Sequence, residues 1–120
     1  MGTIKTFEES RVWIAAKALA LVVYKDFTSC KDFSFRDQIR RASISVSNNI
    51  AEGFERGTNP ELARFLYIAK GSVAETRSML HIAKDLGYID DKSYKELISK
   101  TLIIAKMLSA FIKTIQPYKL

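Results

Sequence analysis

From Val12 onward the chain repeats apolar residues at spacings of three and four, the pattern of a helix that buries one face. Val12, Ala16, Leu19, Val23 and Phe27 form the first stripe. Ahead of it, Thr6-Phe7-Glu8-Glu9 has the capping-box form, which predicts a helix start at Thr6 with Glu9 reaching back to the cap. Thr28 to Phe33 reads as a loop. Ser34 is the expected cap of a second helix, with Asp37 in its first turn, where a negative charge complements the helix dipole. That helix reaches about Arg56 and carries Ile39, Ala42, Val46, Ile50 and Gly53 as its core stripe.

Gly57-Thr58-Asn59-Pro60-Glu61 is the sharpest punctuation in the chain. Gly57 suits a left-handed helix end, Asn59 a cap and Pro60 the first helical position. A third helix follows with Leu62, Leu66, Ala69, Val73, Leu80 and Ala83 at heptad-compatible spacing, and it stops at Gly87. Asp90 caps the fourth, whose stripe runs Tyr94, Ile98, Thr101, Ala105, Leu108, Ile112 and Ile115, and which Pro117 closes. Strand alternation and internal repeats are absent. Four helices with short connections predict one domain over residues 1–120, an all-α antiparallel up-down-up-down four-helix bundle.

The second helix breaks the ordinary pattern. Ser43, Ser45, Ser47, Asn48, Asn49 and Gly53 have weaker helix propensity than alanine, so tertiary contacts must hold it. Gln38, Arg41, Ser45, Asn49 and Glu52 follow at spacings of three and four, giving a polar stripe beside the core stripe. Either it is a solvated face or it is a polar seam, because serine and asparagine permit close approach and bond across it. If the helices fold back about the Gly57 turn, Glu52 is expected to meet Arg64 and Arg41 to meet Glu75, with Ser45 and Gly71 between them.

Composition excludes several classes. The 120 residues are 48% apolar and 27% charged, with two prolines and five glycines, which rules out low-complexity and collagen-like chains. The longest run without a charged side chain is residues 42–51, half of what a bilayer span requires. One cysteine, Cys30, cannot make an internal disulfide, and the start lacks an apolar signal core, so a cytoplasmic protein is expected.

Charge sharpens the picture. Residues 1–91 hold 13 basic and 12 acidic side chains, whereas residues 92–120 hold six lysines and only Glu96. At 100° per residue Lys92, Lys95, Lys100, Lys106 and Lys113 share one arc of the fourth helix, opposite its apolar stripe. Such a stripe is a candidate nucleic-acid interface, with Arg36 and Arg40 of the second helix as a further candidate patch. The competing reading is that an amphipathic helix simply turns its lysines to water.

Catalytic and metal signals are thin, and no cofactor is expected. His81 is the single histidine, and Ser45 would stand too far along the bundle axis to pair with it. Cys30, His81 and Asp85 could share one end of the bundle, but there is no HExxH, paired CxxC or second histidine. Arg77 and His81 invite comparison with bundle ribonucleases of the HEPN group, whose motif separates arginine and histidine by four to six residues rather than the three here. Trp13, Phe27, Phe65 and Tyr67 read as core or interface aromatics, since no aromatic run interleaves with basic residues. A non-enzymatic role is expected, with a ribonuclease using Arg77 and His81 as an alternative.

The run QIRRASISVSNNIAEGFERG, with ELARFLYIAKGSVAETRSML and IAKDLGYI after it, resembles the four-helix-bundle family encoded by intervening sequences of bacterial 23S ribosomal RNA genes. FEESRVWIAAKALALVVYKDF upstream is similar to that family's opening helix, Trp13 included. The sequence departs at Ser47-Asn48, where relatives often carry proline or another small residue. The resemblance implies a small cytoplasmic bundle that assembles as a homopentameric ring. Related accessory proteins of diversity-generating retroelements further imply RNA, DNA or a nucleic-acid enzyme as partner. Ile14 and Val22 on the first helix and Leu102, Ile103 and Met107 on the fourth lie outside the core stripes, as a self-associating surface would require.

Overall fold

The structure, a computed structural model, describes residues 6–115. After a short 3-10 turn at Phe7–Glu9 come α1 (Arg11–Asp26), α2 (Phe33–Arg56), α3 (Asn59–Asp85) and α4 (Asp91–Ile115). The four helices pack in a closed square: α1 on α2, α2 on α3, α3 on α4 and α4 on α1. The bundle measures 45 × 22 × 21 Å, the long edge set by helices of 24 to 27 residues. Contacts fix the up-down-up-down course. Ser45 meets Ser72 mid-bundle, the α1–α2 and α3–α4 connections meet through Asp32 and Tyr88, and the Phe54 and Phe111 rings pack at a tilt at the other end.

The expected stripes of α1 and α2 are buried throughout, and so is that of α3 apart from half-buried Leu62. On α4 the stripe is rotated: Leu97, Thr101, Ile104, Leu108 and Ile112 are buried, Ile98, Ala105 and Ile115 only flank the core, and Tyr94 is half-buried away from it. Apolar residues cover such a broad arc of α4 that periodicity alone cannot choose its centre. Val22 and Met107, expected outside the core, pack against it, and Leu21 is exposed instead. Among the described residues no helix is long and apolar enough to cross a membrane.

The helix ends bring further corrections. Thr6 caps only the 3-10 turn, without a side-chain bond, and α1 begins after Ser10. Phe7 packs edge-on against Trp13 at 5.1 Å, which the bend at Ser10 allows and a straight helix from Thr6 would not. Asp32, not Ser34, caps α2 by accepting from the Phe35 amide. Thr58, not Asn59, caps α3 by accepting from the Glu61 amide. Gly57 is left-handed at φ 84°, as expected, and Asp90 accepts from the Ser93 amide at the start of α4. Pro117 lies outside the described residues.

Candidate nucleic-acid interface

Helix α4 turns its lysines outward because the opposite arc, Leu97 to Ile112, fills the core. Lys92, Lys95, Lys106 and Lys113 are exposed, whereas Lys100 is half-buried on the flank. Lys95 is ion-paired with Asp91 at 3.0 Å, and Lys84 of α3 reaches the same carboxylate at 3.7 Å. The hydrogen bond from Lys95 holds the Asp91 carboxyl below its usual range. Lys92, Lys106 and Lys113 enter no ion pair of the described residues.

Lys95 and Lys106 rim a shallow groove of about 390 Å³ floored by Ile98, Ser99, Leu102 and Ile103 and ended by Tyr94. The Tyr94 hydroxyl lies 2.8 Å from His81 Nδ1, and the Lys84 ammonium sits 4.6 Å from the Tyr94 ring. Lys84 and Tyr94 were not expected here. Their signal is the short connection after Asp85, which folds the end of α3 onto the start of α4. Such a surface can take an anion by its ammonium groups and a flat apolar moiety in the groove between them.

The second patch behaves differently. Arg40 donates from Nη2 to the Tyr24 carbonyl at 2.7 Å and stacks on the Tyr24 ring at 4.7 Å, closing the C-terminal end of α1. Its Nε is buried with no hydrogen-bond partner among the described residues. Arg36 pairs with Asp37 at 3.1 Å and lies over Phe33. Both guanidinium groups are engaged within the chain.

The polar stripe on α2 divides. Ser45 and Ser72 share a hydrogen bond of 2.9 Å, and Asn49 donates to the Ser45 hydroxyl and carbonyl, so the middle of the stripe is a seam against α3. Gln38, Arg41 and Glu52 are exposed at its ends. The expected charge pairs take other partners or none: Glu52 bonds Arg56, Arg64 bonds Glu61, and Arg41 and Glu75 enter no ion pair of the described residues. Glycine contact is real at Gly53 rather than Gly71, since a Cβ there would stand 3.0 Å from both Leu62 Cδ1 and Phe65 Cβ.

His81 is exposed and bound to Tyr94, Arg77 is half-buried, and buried Cys30 directs its thiol to the Asp32 carbonyl at 3.7 Å. Among the described residues no three His, Cys, Asp or Glu side chains gather as metal ligands.

These features define a helical bundle with a serine-lined inter-helix seam and a lysine-bearing outer helix. The chain belongs to the 23S rRNA-intervening sequence protein family, whose sequence model matches residues 8–110. It is similar in structure to a protein of unknown function from the S23 ribosomal protein family of Bacteroides thetaiotaomicron VPI-5482. The TM-score is 0.80 at 25% identity, covering 85% of this chain and 98% of that one. No curated protein matches it in sequence.

Proposed function

We propose that this chain is a non-enzymatic, cytoplasmic, self-associating bundle, a pentameric ring, whose α4 face binds nucleic acid or a nucleic-acid enzyme by charge. The observation that carries this reading is the outward face of α4. Lys92, Lys106 and Lys113 stand exposed and, among the described residues, free of ion pairs, and Lys106 lines a groove with exposed Leu102 and Ile103 in it. Five lysines stand against only Asp91 and Glu96 on this helix, an excess of one sign that solubility alone does not call for. Family membership and the ribosomal family of the structural neighbour support an RNA-associated setting.

The mechanism is displacement of condensed counterions from phosphates, which is salt-sensitive and largely independent of sequence. Repetition of the face around a ring turns modest single-site attraction into multivalent binding. Reversing Lys106 and Lys113 to Glu tests it by gel shift with single- and double-stranded RNA and DNA over a salt series. Binding weakens strongly and the log–log salt slope flattens by about 1.5, as loss of two phosphate contacts requires. Undiminished binding by the double variant overturns this site. Absence of any salt-dependent shift by the wild-type chain favours an interaction module whose lysines serve solubility alone.

A further inference from the structure

Lys95 and Lys106 stand about 16 Å apart along the axis of α4, at 1.5 Å per residue. Between them the groove is lined by Ile98, Ser99, Leu102 and Ile103, with Leu102 47% and Ile103 54% exposed. Neither acid of the helix, Asp91 or Glu96, lines it. Lysines therefore stand at both ends of an uncharged, largely aliphatic floor. Such a floor does nothing for a phosphate. Aliphatic side chains offer it no hydrogen bond, and pressing it against them strips its water at a cost.

Tyr94 closes one end of the groove. Its hydroxyl is held at 2.8 Å by His81 Nδ1 and its ring lies 4.6 Å from the Lys84 ammonium. Neither His81 nor Lys84 lines the groove, so the part of the ring that does is fixed in place and left open. A second copy laid face to face on this one would set lysine against lysine. An occupant that carries both anions and flat apolar surface satisfies the rim and the floor together. Nucleic acid does so only when its bases are unpaired. In a duplex the base faces cover one another, and the outside presents phosphates and polar groove edges.

We propose that this groove selects single-stranded RNA over duplex, which rests on the nucleic-acid reading above and on the RNA setting that supports it. An unpaired base lies over Leu102 and Ile103 with its edge toward Ser99, and the phosphates on either side meet Lys95 and Lys106. The span between the two lysines holds about five nucleotides at 3.4 Å each. Contact with base faces tolerates any sequence, so recognition becomes strand-specific without becoming sequence-specific. The groove lacks the aromatic ladder of the strongest single-strand binders: three aliphatic side chains and one tyrosine supply its apolar surface. A preference of about tenfold is therefore expected, near the low end for one base on a side-chain platform. Its direction separates the groove from bare charge. A duplex carries about twice the phosphate density of one strand, so charge alone favours the duplex.

Fluorescence anisotropy with the full chain tests this on labelled RNAs of about 12 nucleotides, within the site sizes of single-strand binders. The probes are oligouridylate, a ribose-phosphate strand of equal length without bases, and a duplex. Oligouridylate is expected to bind about tenfold more tightly than the baseless strand, with the same salt slope, and more tightly than the duplex. The double variant Leu102→Gln, Ile103→Gln alters two exposed side chains and no charge. With helicity unchanged, it should bring oligouridylate down to the baseless strand and leave duplex binding as it was. Oligouridylate and baseless strand bound alike, with the duplex tightest, overturn the base contact and leave the charge reading standing. No salt-dependent binding of any probe overturns both. Loss of duplex binding in the double variant means that Leu102 and Ile103 only shape the face, and overturns the base contact. A changed mass of the free variant in light scattering puts a second copy over the groove and overturns it too. Displacement of oligouridylate from the wild type, but not of the baseless strand, by RNA duplex alone has the same force. Indifference to bases together with binding of an acidic, leucine-bearing helical peptide gives the groove to a protein segment instead.

Discussion

The Tyr88 hydroxyl donates to Asp32 Oδ2 at 2.7 Å, while Asp32 Oδ1 accepts from the Phe35 amide at 3.1 Å. One carboxylate therefore caps α2 and ties the α1–α2 connection to the α3–α4 connection. Phe35 packs edge-on to the Tyr88 ring at 5.2 Å, so the polar tie has an apolar counterpart beneath it.

Asp32→Ala is expected to lower the melting temperature more than Tyr88→Phe, because the alanine removes the cap and the tie together. The bond from Tyr88, then that from Phe35, holds the Asp32 carboxyl below 3.8. Its stabilisation is therefore present above the unfolded value and is lost as pH falls through the lowered folded one. Thermal melts from pH 7 down to pH 2 check this: the gap between wild type and Asp32→Ala should close at the acid end.

Asp26 has the opposite sign. It ends α1, where the helix dipole disfavours an anion, and burial, with Glu96 and Asp90 nearby, raises its carboxyl above 3.8 despite Lys25. A raised acid costs stability once it ionises, so Asp26→Asn should raise the melting temperature at pH 7. The advantage should vanish below the ordinary carboxylate range. A variant no more stable than wild type at pH 7 would refute this account.

How much of this was legible in the sequence depends on what each feature requires. The stripes Val12 to Phe27 and Ile39 to Gly53 were readable because helical period and burial coincide there. The α2 cap was misplaced by two residues and the α3 cap by one, where neighbours offered similar side chains, and the start of α1 by four, because a 3-10 turn intervenes. Thr58 and Asn59 are both good caps, and only the bond to the Glu61 amide decides between them. Asp32 was hidden because its choice over Ser34 is reinforced by Tyr88, 56 residues away. The polar stripe was legible as a row, but which members enter the seam depends on α3: Ser45 meets Ser72 there, and Arg41 is left exposed. The α4 lysines were placed by period alone, whereas the engagement of Arg36 and Arg40 depends on Asp37, Phe33 and the end of α1.

The α2–α3 seam predicts two different responses. Ser72→Ala should cost about 1 kcal/mol, the loss of one hydrogen bond, because Asn49 still satisfies Ser45. Gly53→Ala should cost about 1–3 kcal/mol despite the better helix propensity of alanine, since Phe65 Cβ is 3.0 Å from the new methyl group. Urea unfolding measures both.

Arg40 should prove structural rather than nucleic-acid-binding. Arg40→Lys keeps the charge but loses the flat stack on Tyr24 and the geometry of the bond to its carbonyl. About 1 kcal/mol of stability should disappear, while the salt slope of nucleic-acid binding stays as in the wild type. A flattened slope with unchanged stability would return Arg40 to the interface.

Asp91 supplies the sharpest test of the α4 face, because it is an acid that holds two of the nearby cations. Its carboxylate binds Lys95 at 3.0 Å and Lys84 at 3.7 Å, so their ammonium groups are partly neutralised before any phosphate arrives. Asp91→Asn removes one negative charge and frees both lysines. Binding at low salt should tighten, and the salt slope should steepen by about 0.7–0.9 for each lysine that gains a phosphate. At high salt the difference should shrink, since screening already weakens exposed pairs. Weaker or unaltered low-salt binding by Asp91→Asn would mean that Lys84 and Lys95 lie outside the interface, which would then centre on Lys106 and Lys113, farther along α4.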